Sequence, residues 1–236
     1  MAERSALIIQ NNTHEGPGTI GDVLNKKGFE KTIVDISLGQ EIPPIDKFEI
    51  VFILGGPNSA NDDTPEMKAE LAVVRQCLET GKLFMGICLG KQILAKAAGG
   101  QVVQAPIREV GFTGPDSKPF KVRLTKDGRI DTLFDKLGDE LPVFQLHGEM
   151  VIPSDSTIVL ATGDFVETQI IKVGENAYGI QAHLELTSEM LKDWIENNPW
   201  LREQNIPQLK FEFAKIRAQY TLTAWQLISN FVPMLS

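Results

Sequence analysis

The sequence predicts an α/β protein: a mostly parallel sheet flanked by helices, with an antiparallel extension and a C-terminal helical tail. Three observations predict it. Over the first hundred residues, short apolar and β-branched runs alternate with helical patterns, as they do in a sheet covered on both faces. Between about 101 and 182, strand-like runs follow one another with turns between them. After 187 the apolar spacing is helical. No Pro-, Gly- and Ser-rich linker cuts the 236 residues. They are read as one domain, 1–236, with 187–236 as a helical extension.

Each element has its own signal. "ALIIQ" (6–10) is a short apolar run and predicts a buried strand. "GTIGDVLNKKG" (18–28) predicts a helix ending at Gly28, and "EKTIVDIS" (30–37) a strand. "FEIVFILGG" (48–56) is a stronger strand, stopped by Gly-Gly-Pro. In "TPEMKAELAVVRQCLETG" (64–81), Thr64 is the expected N-cap, Pro65 stands at N1 and Gly81 ends the helix. Its inward face is expected to carry Met67, Leu71, Val74 and Leu78. "KLFMGIC" (82–88) and "GKQILAKAA" (90–98) complete the alternation as strand and helix. "FKVRLT", "LPVFQL", "TIVLAT", "VETQIIKV" and "AYGIQAH" read as strands, with "KDGR" and "VGEN" as turns. Only "IDTLFDKL" looks helical in that region. In the tail, "TSEMLKDWIENN" opens with a Ser/Thr cap, and Leu209, Phe213, Ile216, Tyr220 and Ile228 recur at helical spacing.

Composition narrows the function. The net charge of −8 argues against nucleic acid and anionic membrane as partners. Two cysteines without disulfide-like spacing suggest a reducing compartment. "MAERSALIIQNN" lacks the apolar stretch of a signal peptide, and no apolar run approaches the ~20 residues of a membrane helix. The expectation is a soluble cytoplasmic protein without cofactor or metal.

The stretch that carries chemistry is "FMGICLGKQILAKAAGG" (84–100). Gly-x-Cys-x-Gly between a strand and a helix matches a nucleophile elbow with Cys in place of Ser. On so sharp a turn the side chain stands clear of the sheet. Gly86 and Gly90 have no side chains to clash, and a helix N-terminus favours a thiolate. The Leu89 amide would point to a developing oxyanion. A buried core cysteine between two packing glycines explains the pattern equally, so the elbow alone leaves both readings open. Cys77 lies on a helix without such glycines and reads as core.

A nucleophilic thiol needs a base, and the chain offers His14, His147 and His183. If "YGIQAHLELT" is a strand, His183 and Glu185 share a face. The carboxylate can then hold the imidazole in its working tautomer. Gly55-Gly56, ending a strand, would free amides for an oxyanion, although a plain turn accounts for them as well.

"GGP", "GICLGKQILAKAAGG" and "GIQAHLE", in this order, resemble a class I, triad-type glutamine amidotransferase over roughly 50–186. "THEGPGTIGDVL" and "VFQLHGEM" are similar to its stand-alone, GMP-synthase-like branch. The resemblance implies a flavodoxin-like sheet with Cys88 as nucleophile, His183 as base and Glu185 as orienting acid. It implies an oxyanion hole from the Gly56 and Leu89 amides. It assigns substrate contacts to Gln92, with His147, Glu149 and Gly55 beside the glutamine site. His147 and Glu149 could equally brace their loop, and His14 could face the pocket mouth or serve as a cap. Two departures stand out: Leu184 replaces the family's usual Pro between His and Glu, and Glu149 replaces a more usual Asp. No segment resembles an ATP-binding synthetase module. The implied ligand is glutamine or another γ-glutamyl small molecule. Three readings follow: a glutaminase serving a separate synthetase, a stand-alone γ-glutamyl hydrolase, or a non-catalytic module on the same scaffold. The oligomeric state stays open. The tail's Trp194, Trp200, Phe211, Phe213 and Trp225 are expected to close the core, with a self-association face as the alternative.

Overall fold

The computed structural model describes residues 4–232. The first half alternates as expected: β1 (Ser5–Gln10), α1 (Gly18–Lys26), β2 (Glu30–Asp35), β3 (Ile50–Ile53), α2 (Pro65–Thr80), β4 (Leu83–Ile87) and α3 (Leu89–Ala97). Then come β5 (Gln101–Gly111), β6 (Lys121–Leu124), α4 (Lys126–Ile130), β7 (Glu140–Pro142), β8 (Gln145–Ile152), β9 (Thr157–Thr162), β10 (Thr168–Val173) and β11 (Ala177–Ile180). The tail forms α5 (Ser188–Asn197), α6 (Pro199–Arg202) and α7 (Ile206–Phe231).

Nine strands form one sheet in the order β2-β1-β3-β4-β11-β10-β9-β6-β7. From β2 to β11 every pairing is parallel; from β11 to β7 every pairing is antiparallel. The order 2-1-3-4 followed by one more parallel strand is flavodoxin-like. β1, β3 and β4 are buried on both faces, so they read as continuous apolar runs rather than alternating ones. Ile8, Phe52 and Met85 pack with Ile20, Val23 and Leu24 of α1 and Leu227 and Phe231 of α7. Leu7, Ile9, Val51 and Ile53 pack with Met67 and Val74 of α2 and Ile93 and Leu94 of α3. The result is three layers, helix on sheet on helix.

Several boundaries differ from expectation. Thr64 caps α2 by accepting from the Met67 amide at 3.2 Å, and Gly81 takes φ 66 at its end. Its buried face, however, includes Glu70 and Cys77, while Leu71 and Leu78 are only half-buried. "KDGR" is helical, because Thr125 accepts from the Gly128 amide and caps α4. "IDTLFDKL" keeps only one 3₁₀ turn at Thr132–Phe134. "LPVFQL" is split between β7 and β8. β5 gave no signal in the sequence. It pairs with β8 in a separate ribbon, and the register shifts between Gln104 and Glu109. Pro106 lies in that irregular stretch, where its missing N–H costs no ladder bond. The last strand stops at Ile180, so His183 and Glu185 lie in a turn beyond it, not on a strand. Among the described residues, no helix is long and apolar enough to cross a membrane.

Candidate active site

The sheet gathers the candidate residues past the C-terminal ends of β1, β3, β4 and β11, where open α/β sheets bind ligands. Cys88 joins β4 to α3 with φ 50 and ψ −103. A non-glycine residue held there is strained and persists only when its surroundings impose it. The surroundings do so here. The Cys88 amide donates to Ile180 O at 2.7 Å, and its carbonyl accepts from the Gln92 amide at 3.1 Å. A Cβ on Gly86 would stand 2.3 Å from the Gly90 carbonyl, and one on Gly90 would stand 2.2 Å from Ile53 O. Both glycines are therefore required by close backbone approach, as the elbow pattern predicts. Cys77 is buried in the α2 face, and burial pushes its thiol up to about 12.

His183 Nδ1 lies 2.8 Å from Glu185 Oε1, with both side chains almost fully buried. Burial opposes a charged ring, but Glu185 and Cys88 beside it hold the His183 pKa well above its ordinary 6.5. The tail and α1 fix this turn. Tyr220 of α7 donates its hydroxyl to the His183 carbonyl. Trp194 of α5 meets the imidazole edge-on at 4.9 Å. The Thr19 amide donates to Glu185 O at 3.0 Å, and Gly18 has no room for a Cβ, which would stand 2.1 Å from that oxygen. Packing from both sides thus does what a proline at 184 would do locally.

Gly55 stands directly behind this pair. A Cβ there would lie 2.7 Å from His183 Cε1, 3.5 Å from Cys88 Cβ and 2.6 Å from Glu15 Oε2. Its place is against the His183 ring, not on the cavity wall. Glu15 is a residue that sequence reading missed. It is buried, and burial raises its pKa, with His183 acting the other way. The neighbouring His14 points elsewhere and pairs with Asp193 at 2.8 Å in an exposed contact.

Cys88 opens into a cavity of about 490 Å³. Gly56, Leu89 and Gln92 line it, as do His147 and Glu149. Leu89 begins α3, so its amide has no intrahelical acceptor, and the Gly56 amide donates to no backbone acceptor among the described residues. Gln92 is buried rather than solvated. Glu149 accepts from the Ser59 hydroxyl at 2.9 Å. His147 Nδ1 contacts Glu149 O at 3.0 Å. Its Nε2 is 2.8 Å from Glu109 Oε2, close enough to pair but off the line of a good hydrogen bond. Two further residues line the wall: Arg108 of the β5 bulge, which had no sequence signal, and Trp200 of α6, expected in the core, whose ring lies 4.6 Å from the guanidinium. The tail therefore builds both the core around His183 and a wall of the cavity. Phe211 is the exception, being 65% exposed.

A thiol on a strained turn and free amides lining one cavity, with a carboxylate-held imidazole buried beside the thiol, make a set suited to acyl transfer. Fold and site together define an α/β protein with a cysteine on a strand-to-helix elbow. The chain belongs to the class-I glutamine amidotransferase family, whose model matches residues 18–200. Among its relatives is the glutamine amidotransferase-like protein YfeJ of Salmonella typhimurium, 27% identical over 81% of this chain and 80% of that one. Gamma-glutamyl peptidase 3 of Arabidopsis thaliana is 25% identical over 80% of this chain and 76% of that one. The GMP synthase of Petrotoga mobilis is 30% identical, but the match covers 62% of this chain and only 27% of the enzyme. The crystal structure of a glutamine amidotransferase from Thermotoga maritima superposes over 100% of both chains with a TM-score of 0.87 at 24% identity.

Proposed function

We propose that this protein hydrolyses γ-glutamyl amides through a thioester on Cys88, with free glutamine as the parent substrate. The Cys88 thiolate attacks the γ-carbonyl carbon, and the Gly56 and Leu89 amides receive the negative oxygen. Protonated His183 gives its proton to the departing nitrogen as the C–N bond breaks, so ammonia or an amine leaves. Neutral His183 then takes a proton from water. The hydroxide attacks the thioester, the C–S bond breaks, and glutamate is released. Glu185 holds the ring and stabilises its charged form. Gln92 and Glu149 line the cavity and would contact the glutamyl end, while His147, facing Glu149 O and Glu109, would brace that wall. The observation that carries this reading is Cys88 at φ 50 beside a buried His183–Glu185 pair.

A second reading, independent cleavage of γ-glutamyl peptides, has its own support. The cavity of about 490 Å³ lies within the ~300–1,000 Å³ range of small-molecule sites, and Trp200 and Arg108 form part of its wall. The γ-glutamyl peptidase match spans most of both chains, whereas the GMP synthase match spans one part of a longer enzyme. A glutaminase role would need a separate synthetase to accept the ammonia. A non-catalytic role leaves the strained Cys88 without a purpose. Turnover of glutamine and of γ-glutamyl dipeptides, measured with purified protein and no partner, tests all of this, with Cys88→Ala as control. Hydrolysis lost in the variant is the expected result. Glutamine cleavage without peptide cleavage removes the second reading, and the reverse makes it the first. Turnover that survives Cys88→Ala removes the thioester.

A further inference from the structure

Lys91 is fully buried one residue after Gly90 in α3. A buried ammonium survives only where acceptors replace its water. Lys91 Nζ donates to Thr168 O at 2.6 Å and to Gln181 Oε1 at 3.1 Å. Its stem lies across bare backbone: a Cβ on Gly179 of β11 would stand 2.6 Å from Lys91 Cγ and 2.9 Å from its Cβ. The sheet therefore keeps a slot for this side chain. The other end of the same carboxamide, Gln181 Nε2, is 3.6 Å from Cys88 Sγ.

A lysine only donates while it is charged, so it selects one of the two orientations of the Gln181 amide. The oxygen must face Nζ, which leaves the NH₂ facing sulfur. The flipped amide would set a donor against the ammonium and an acceptor against a thiolate. As a thiol, Sγ has the more distant Leu146 carbonyl at 3.9 Å as an acceptor. As a thiolate it needs the donor that Gln181 presents.

We propose that Lys91 is a positioning residue which locks the Gln181 carboxamide with its N–H toward Cys88 and thereby supports the thiolate. The inference rests on Cys88 as the nucleophile of the proposed function, but its test needs no substrate. Burial brings the Lys91 pKa down to about 7, with Cys88 and Glu109 of β5 acting the other way. The charged groups that bear on the site are thus Lys91 and His183 at Cys88, Glu109 at Lys91, and Glu15 and Glu185 at His183.

The experiment is the pH profile of Cys88 alkylation by iodoacetamide, read by peptide mass mapping in wild type, Lys91→Met, Gln181→Leu and the double variant. Methionine keeps the stem in its slot and removes the charge. The expected result is a pH midpoint about one unit higher in Lys91→Met, a tenfold slower alkylation on the rising limb. Gln181→Leu shifts it alike, and the double variant shifts no further, because the two act as one unit. Melting is unchanged or raised, since replacing a buried charge with an apolar residue of similar volume is commonly neutral or stabilising. An unmoved midpoint in Lys91→Met overturns the proposal, as do additive shifts. If Lys91→Met does not fold, Lys91→Leu, which likewise removes the donor, takes its place under the same outcomes. A protein that alkylates as expected yet cleaves no γ-glutamyl compound defeats the proposed function and leaves this inference intact.

Discussion

Gly90→Ala is the sharpest structural test of the elbow. Its new Cβ would stand 2.2 Å from Ile53 O and 2.9 Å from Ile53 C, where ordinary contact begins at 3.4 Å. The gap between 2.2 and 3.4 Å is about 1.2 Å, and the backbone must move by that much. It has no easy direction. Ile53 is paired with Gly86 in the sheet, and Gly86 in turn lies against the Gly90 carbonyl. α3 must lift away and carry Cys88 with it. Overpacking of this kind costs ~1–3 kcal/mol, and at this chain length each kcal/mol lowers Tm by ~2–4 °C. A displacement of about 1 Å at a reacting atom can cost ~10²-fold in rate. Thermal melting and kcat/KM on a γ-glutamyl substrate measure the two losses. Gly138→Ala, with nothing within 4 Å of its Cβ, serves as control and should change neither. A Gly90→Ala protein that melts and turns over like wild type would refute the reasoning.

Two further outcomes follow from the buried groups. Glu185→Gln should lower kcat with little change in KM and by less than the ~10⁴ seen for an orienting acid in a serine triad, since a thiol needs less activation; steady-state kinetics with an unchanged rate would remove Glu185 from the site. Glu70 is fully buried in α2, and burial raises its pKa from 4.5 to about 7. The folded state therefore binds this proton more tightly than the unfolded one, so the Glu70 contribution is full below 4.5 and is lost as pH rises through 7. Above pH 7 the shift of about 2.5 units corresponds to roughly 3 kcal/mol of lost stability. Glu70→Gln should accordingly raise the denaturation midpoint at pH 8 and leave it unchanged near pH 4.5; equal effects at both would contradict the burial cause.

What was legible in the sequence was local. Gly86 and Gly90 bracket Cys88 within five residues, and the strain they relieve is a property of that one turn. The alternation of β1 to α3 showed because buried parallel strands are unbroken apolar runs, and the caps at Thr64 and Gly81 act through adjacent backbone. His183 and Glu185 were paired for a reason that does not hold, strand alternation. They meet in a turn held by Tyr220, Trp194 and Thr19, all distant in the chain. Arg108 had no signal, Glu15 passed unremarked within a quoted stretch, and Trp200 was expected only in the core, because each reaches the site from a different element. β5 was hidden by Pro106 and by a ribbon with polar residues on its outer face. Lys91 sat in the quoted motif, but on sequence alone a lysine in a helix reads as solvated. Only the bare slot at Gly179 and the Gln181 amide show why it is buried.

The thioester at Cys88 can be sought directly. Protein mixed with glutamine or a γ-glutamyl dipeptide, quenched in acid during turnover and digested, should show a γ-glutamyl adduct on the peptide holding Cys88. The adduct should be absent from Cys77 and from Cys88→Ala protein. It should accumulate further in Glu185→Gln if water attack on the acyl-enzyme is slowed more than its formation. Steady hydrolysis with no adduct on Cys88, or an adduct on another residue, would contradict the thioester mechanism.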